Sequence, residues 1–416
     1  MTDRLTGSGL LALMLAVFTV SAGYGVMLPL LPYAVEQMTG EATSAAISRH
    51  TGLLTAVYTV SLFLFAPLWG RASDRLGRRP MILAGLLGFA ASMLAFAGAA
   101  QLSTLYTERF LSGLFAAAVT PVAMATIGDL VHDDGTRARR LTMVGLSGVS
   151  GFLLGPMLGV MIANVLPSLP GRFGAQTPLA APMAVAALLA LGATVAAGLA
   201  LPRATGASVQ DASPVGAHAG GHTVRFLLGL AFVVATAIGV FEVGLALRGK
   251  QELALTPYQI AAMFTECSLV MFAAQALVFS PWMPPRHTRW LIAPALALLA
   301  FGLLLAPAAD DYPGLLIAVG ATAAGGGVLS PILTFWISTL TGAEQGASLG
   351  RQTAATSLGQ ALGSSAGGLL FNSALVAGAP FVLVAGVAAG ATLASVRLPA
   401  RLGQASPAPA GRAPAP

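Results

Sequence analysis

The stretch Gly70-Arg71-Ala72-Ser73-Asp74-Arg75-Leu76-Gly77-Arg78-Arg79-Pro80 puts four arginines and one aspartate between two long apolar runs, about 51–69 and 80–100. Each residue has a physical use there. Gly70 permits close approach of a neighbouring helix, Gly77 permits a tight turn, and Pro80 suits the first turn of a following helix. Asp74 can pair locally or face a helix N-terminus. A basic loop between two runs long enough to span hydrocarbon reads as the cytoplasmic connection of a membrane protein.

Composition extends that reading to the whole chain. Of 416 residues, 56% are hydrophobic and only 9% charged; a soluble domain carries about 25% charged residues. The mean hydropathy is +0.81. Apolar stretches recur at about 9–32, 51–69, 80–100, 103–128, 141–165 and 178–201, then at 224–247, 257–280, 289–307, 314–340, 352–375 and 379–398. Backbone groups in hydrocarbon must be satisfied within their own segment, so these twelve are expected to be helices. The predicted class is an all-α integral membrane protein with two six-helix halves, 1–202 and 224–400. A flexible linker is expected at 203–223 and a disordered cytoplasmic tail at 401–416. Arg4 and the run to Ser21-Ala22-Gly23 have the look of a secretory signal, but the apolar stretch continues through Leu31, longer than a signal core.

Charge supplies the orientation. With the N-terminus in the cytoplasm, sixteen of the 21 basic residues fall in cytoplasmic loops and ends, and four (Arg49, Arg172, Arg248, Lys250) on the other side. Arg109 alone lies within a span. This bias predicts both termini inside. The net charge of +6 therefore reads as topology rather than nucleic-acid binding.

The halves echo one another. Phe65-Ala66-Pro67 ends the second span and Phe279-Ser280-Pro281 the eighth. Gly151-x-x-x-Gly155-Pro156-x-x-Gly159 lies in the fifth span, and Gly359-x-x-x-Gly363-Ser364-x-x-Gly367 in the eleventh. Such a repeat puts a substrate site between the halves near mid-bilayer.

The opening loop resembles the signature loop of the major facilitator superfamily. Gly70, Asp74, Arg75, Gly77, Arg78 and Arg79 match, and Ala72 stands where Leu is usual. The resemblance implies a transporter whose Asp74 and arginines latch the two halves on the cytoplasmic side. Arg109 with Gly113 resembles the family's Arg-x-x-x-Gly motif, which implies proton coupling. Gly151, Gly155, Pro156 and Gly159 resemble its antiporter motif, with Val160 where a second Gly is usual and Thr142 in place of the longer form's first Gly. Together with Gly25–Pro32 these imply the twelve-span drug/proton antiporter branch.

Proton coupling needs a titratable group in the membrane. Glu266, near the middle of the eighth span, and Glu242, toward the outer end of the seventh, are the candidates. The alternatives are a structural hydrogen bond for Glu266, an interface pair with Arg248 or Lys250 for Glu242, and snorkelling or pairing with Glu108 or Glu242 for Arg109. Asp129 is expected to pair with loop arginines. Tyr24, Tyr58, Phe115, Phe241, Met263, Gln275, Trp336 and Gln352 are the candidate cavity residues, suited to a greasy, adaptable substrate. The five histidines lack metal-ligand spacing, no phosphate-binding Gly-x-x-x-x-Gly-Lys-Ser/Thr occurs, and the one cysteine, Cys267, reads as a packing residue. No enzyme, metal or cofactor is therefore expected. The expected partners are a small molecule, protons and the bilayer, for a chain that works as a monomer. The Arg-rich, Lys-poor, Ala/Gly-rich composition points to a bacterial inner membrane. The expected activity is proton-coupled export of small organic molecules; a nutrient importer or a non-transporting sensor is the alternative.

Overall fold

A computed structural model describes residues 5–40, 43–97, 101–131, 133–165, 180–202, 221–278, 283, 285–341, 345–373 and 378–405. Most of the linker and tail, and the Phe279-Ser280-Pro281 echo, lie outside them. The described residues form helices almost throughout: α1 Gly7–Met27, α2 Leu31–Thr39, α3 Ser44–Leu76, α4 Arg78–Phe96, α5 Leu102–Ala116, α6 Thr120–Leu130, α7 Asp134–Val165 and α8 Ala180–Ala200. After the linker come α9 Gly221–Gln251, α10 Pro257–Val278, a 3-10 turn at Pro285–Leu291, α11 Ile292–Ala308, α12 Tyr312–Thr341, α13 Gln345–Leu370, α14 Ala379–Ser395 and α15 Leu398–Ala405.

Nine helical stretches are long and apolar enough to cross a membrane among the described residues. The helices α4, α13 and α14 coincide with the other three expected spans. They are respectively headed by two arginines, rich in Ser, Thr and Gln, and 17 residues long.

Proline divides two of the expected spans. The first ends as α1, and the chain turns at Leu28–Leu30 around Pro29 before α2 restarts at Leu31-Pro32. The fourth breaks at Ala117–Val119, and Pro121 sits in the first turn of α6. The missing proline N–H and the ring's clash with the preceding turn account for both breaks. Conversely, α3 has 33 residues, about 50 Å of helix at 1.5 Å per residue, more than hydrocarbon of about 30 Å can cover. The apolar run reports only the lipid-covered middle; the helix continues beyond it at both ends. Gly77, at φ 94°, then makes the tight turn into α4.

The repeated glycines do the same work twice. On α7 they let α1 in: a β-carbon placed on Gly155 would lie 2.7 Å from the Ala22 carbonyl oxygen, and one on Gly159 2.8 Å from that of Val26. On α13 they let α9 in: a β-carbon on Gly359 would lie 2.5 Å from the Phe232 carbonyl oxygen, and Gly363 and Gly367 meet Thr236 and Val240. Small residues are what allow such backbone contact where lipid supplies no hydrophobic drive to associate. Between the helices that precede the linker and those that follow it, the main contacts are α3 on α13 and α7 on α10.

Candidate functional site

Buried charge marks the site. Arg109 on α5 is 2% exposed, and its Nε and Nη2 donate to Glu108 Oε2 and Oε1 at 2.6 and 3.1 Å. Of the alternatives for Arg109, pairing with Glu108 is the one realised. A two-pronged guanidinium–carboxylate contact satisfies both ions where water is absent. Arg109 also lies over the Tyr58 ring, 5.4 Å from its centre, and Tyr58 stacks on Tyr24 with ring centres 4.8 Å apart.

Tyr24 carries this stack across the molecule. Its hydroxyl donates to Glu242 Oε2 on α9 at 3.0 Å, and Gln360 Nε2 on α13 donates to the same oxygen at 3.1 Å. Glu242 is therefore not an interface residue paired with Arg248 or Lys250. Arg248 pairs with Glu252, and Lys250 with Glu36. The seventh span keeps its acid buried because two uncharged donors reach it from α1 and α13.

Beside Glu242 lies a cavity of about 340 Å³ between α1, α7, α9, α10, α12 and α13. Tyr24, Phe241 and Gln275 line it as expected, with Phe152, Met271 and Glu242. Tyr58 backs Tyr24 without reaching it. Gln352 lines a second cavity of about 170 Å³ that shares Ile238 and Gln360 with the first. The other three expected lining residues sit elsewhere. Phe115 fills the space over Gly88 and Trp69, Met263 packs beside Gly249, and the Trp336 indole donates to Thr288 at 3.1 Å.

Glu266 is half-buried and off the cavity wall, near Gly320 of α12. Its Oε2 is buried with no hydrogen-bond partner among the described residues. Cys267, its neighbour, lines the larger cavity.

The two ends of the bundle differ. At one end the two parts of the chain are tied together. Lys250 Nζ meets Glu36 at 2.7 Å and the Pro32 carbonyl at 3.1 Å, above the Tyr33 ring. Tyr33 donates to the Leu255 carbonyl at 2.6 Å, and Asn372 to Ser48 at 2.7 Å. Beneath them Gly52 and Gly368 cross; a β-carbon on either would lie 2.6 Å from the other's Cα. At the opposite end Asp74 pairs with Arg78 at 2.5 Å, and Arg78 with Asp129 at 2.7 Å, as expected for Asp129. Arg79 donates to the Gly198 carbonyl. Arg71, Asp74 and Arg75 are exposed. Gly70 makes no close approach in this conformation: a β-carbon there meets nothing within 4 Å.

Removing Glu108 tests the buried pair. Glu108→Ala leaves Arg109 charged and alone, a change that costs about 3–5 kcal/mol when one partner of a buried ion pair is lost. The expected outcome is a clear fall in melting temperature of the purified protein, largely recovered by adding Arg109→Leu. Equal melting of Glu108→Ala and the parent removes the pair from the stability account.

A cavity between helices long and apolar enough to cross a membrane, with one carboxylate among its described lining residues, has the place a transporter's substrate site takes. The chain matches the Major Facilitator Superfamily model over residues 13–283 and belongs to that superfamily. It is 28% identical over 372 residues to Multidrug resistance protein 2 of Bacillus subtilis (strain 168), covering 86% of this chain and 87% of that one. It is 25% identical over 358 residues to the quinolone resistance protein NorA of Staphylococcus aureus (strain MRSA252), covering 86% and 88%. The crystal structure of the human organic anion transporter MFSD10 (TETRAN) superposes with a TM-score of 0.70 at 21% identity, covering 93% of this chain and 99% of that one.

Proposed function

We propose that this transporter is a proton-coupled exporter of small, largely apolar organic molecules, working by alternating access as a monomer in a bacterial inner membrane. The observation that carries the reading is Glu242. Among the described residues it is the one carboxylate on the cavity wall, and the cross-bundle Tyr24 hydroxyl is bound to it. An ionised Glu242 holds Tyr24 and Gln360 as charge-assisted donors. Protonation weakens both bonds at once, so the proton and the contact between the halves are linked through one atom. Substrate in the cavity competes for the same side chain.

The relatives named for resistance to several drugs and to quinolones support export. The basic-residue bias supports an orientation with both termini, Asp74 and Arg78 in the cytoplasm and Lys250 outside. The conformation then seals the outer end and is poised to take substrate from the cytoplasm, as an exporter's loading state requires. When the cytoplasmic end closes, Gly70, Asp74, Arg75, Gly77, Arg78 and Arg79 form the latch, with Asp74 free to exchange its local partner for one in the second half. Arg109 acts through Tyr58 and Tyr24 to hold the proton site, and Glu266 is a secondary acid outside the cavity. Gly151, Gly155, Pro156 and Gly159 keep α7 rigidly on α1 while the halves rock.

The test is proton movement in inside-out vesicles, followed with a fluorescent pH probe against a panel of lipophilic cations, antibiotics and metabolites. Dissipation of an imposed gradient by at least one compound is expected. A folded protein that answers none of them loses the drug-export reading.

A further inference from the structure

Three consecutive glycines stand in α12: Gly325, Gly326 and Gly327. A helix turns about 100° per residue, so they face three directions. Two of them are held small by backbone. A β-carbon on Gly325 would lie 2.7 Å from the Ala295 carbonyl oxygen and 2.7 Å from the Leu299 nitrogen of α11. One on Gly327 would lie 2.8 Å from Met271 Cα of α10. Backbone cannot swing aside, so close helix packing accounts for both.

Gly326 has no such cause. A β-carbon there would meet only the Ile238 side chain within 4 Å, at 3.5 Å, an ordinary van der Waals contact. Gly326 is buried, so the room beside it is not lipid. Both Gly326 and Ile238 line the larger cavity. Glycine is the poorest residue for a helix interior after proline, and what its missing side chain leaves here is cavity. Thr322 and Ala323, one turn earlier on α12, line the same wall and are also small. Gly148, the other glycine on the wall, differs: its β-carbon would lie 3.1 Å from Val17 Cγ1, so packing against α1 explains it. The bulky part of the wall is aromatic, with Tyr24, Phe152, Phe241 and Phe264. Such rings suit a flat partner that stacks on them.

We propose that Gly326 is a specificity-determining residue: it sets the bulk limit of the larger cavity, admitting a flat aromatic body that a side chain at this position excludes. The inference rests on the export reading for what counts as substrate, but the steric limit does not depend on proton coupling. Of the three glycines, only Gly326 can take a side chain without striking backbone, so a substitution there changes the room for the ligand and leaves the helix contacts in place.

The probe pair is 1-naphthylamine and N-phenyl-1-naphthylamine, which differ by one phenyl ring. Binding is read by equilibrium dialysis on the purified full chain in lipid nanodiscs, against empty discs. Protection of Cys267, the only cysteine and a wall residue of the larger cavity, from N-ethylmaleimide reports that the bound compound sits there. Gly326→Leu is expected to weaken N-phenyl-1-naphthylamine about tenfold or more and 1-naphthylamine less than about twofold, the scale on which overfilling a packed space acts. Gly326→Ala is expected to fall between parent and Gly326→Leu for the larger probe and to leave the smaller one unchanged. If Gly326→Leu loses both probes, loss confined to the larger one in Gly326→Ala upholds the proposal. A glycine needed for helix flexibility instead moves both probes alike in both variants, and that result overturns it. So does parent-like binding of the larger probe by Gly326→Leu, binding that leaves Cys267 unprotected, or no saturable binding of either probe to the parent. If the size effect is found and vesicles show no proton movement, the bulk limit stands and the export reading falls; if vesicles respond and the size effect is missing, the reverse holds.

Discussion

Glu242→Gln is expected to lower substrate-driven proton release by about a hundredfold, the scale on which a positioned proton-transfer group contributes, while the protein still folds and still binds substrate. The glutamine keeps the length of the side chain and an oxygen for the Tyr24 hydroxyl and Gln360 amide, 3.0 and 3.1 Å away in the parent. What it loses is the proton equilibrium. Glu242→Asp keeps the carboxylate but withdraws it by one methylene, and an intermediate rate is expected. Glu266→Gln is expected to have a much smaller effect, because that carboxyl is not on the cavity wall. The measurement is pH-probe recovery in inside-out vesicles with matched protein content, alongside Cys267 protection as a binding control. Proton release at the parent rate by Glu242→Gln would falsify the assignment.

A second large effect is expected where α3 crosses α13. A side chain at Gly52 or Gly368 strikes opposing backbone: the Ser364 carbonyl oxygen would lie 2.5 Å from a β-carbon on Gly52, and the Ser48 carbonyl oxygen 2.5 Å from one on Gly368. Backbone cannot swing aside as a rotamer can, so the helices must part by an ångström or more, on the order of the missing van der Waals distance. Gly368→Leu is expected to prevent closure of the Lys250 end and to reduce transport more than about tenfold, with folded protein still recovered. A membrane-impermeant thiol reagent applied from that side is expected to reach Cys267 faster than in the parent. Gly128→Ala and Gly145→Ala, where a β-carbon meets nothing within 4 Å, are the controls. Parent-rate transport by Gly368→Leu would show that this crossing opens without constraint.

Much of the architecture is legible in the sequence because lipid leaves the chain few options. Every apolar run must satisfy its own backbone, and the arginine bias orders the loops. The glycine spacing of α7 and α13 corresponds to close approach of α1 and α9, whose cause is local and steric. The helix ends at Leu28 and Ala117 were carried by Pro29, Pro32 and Pro121, and a stricter use of proline chemistry finds them.

The site is harder to read. Tyr24 and Glu242 are separated by 218 positions, and no local spacing announces their contact. The adjacent Glu108–Arg109 pair is the exception, since proximity in sequence makes it a candidate. Phe115, Met263 and Trp336 illustrate the general difficulty. In a helix that is apolar on all sides, hydropathy does not separate the face toward lipid, the face toward a neighbour and the face toward a cavity. Gln275 lines the larger cavity and Gln352 the smaller one, two amides that hydropathy alone does not place.

The crossing of Gly52 and Gly368 sits near one end of a very long rod. From Gly52 to Gly70 along α3 is about 27 Å at 1.5 Å per residue. With the pivot placed so far from the middle, the helix is a lever of unequal arms. A tilt of roughly 10° that moves the short arm hardly at all carries the Gly70 end through about 5 Å over that length. Small rearrangements among Lys250, Glu36 and Asn372 are thus geometrically magnified into a wide aperture at the far end, and the mechanical advantage is set by where two glycines happen to meet.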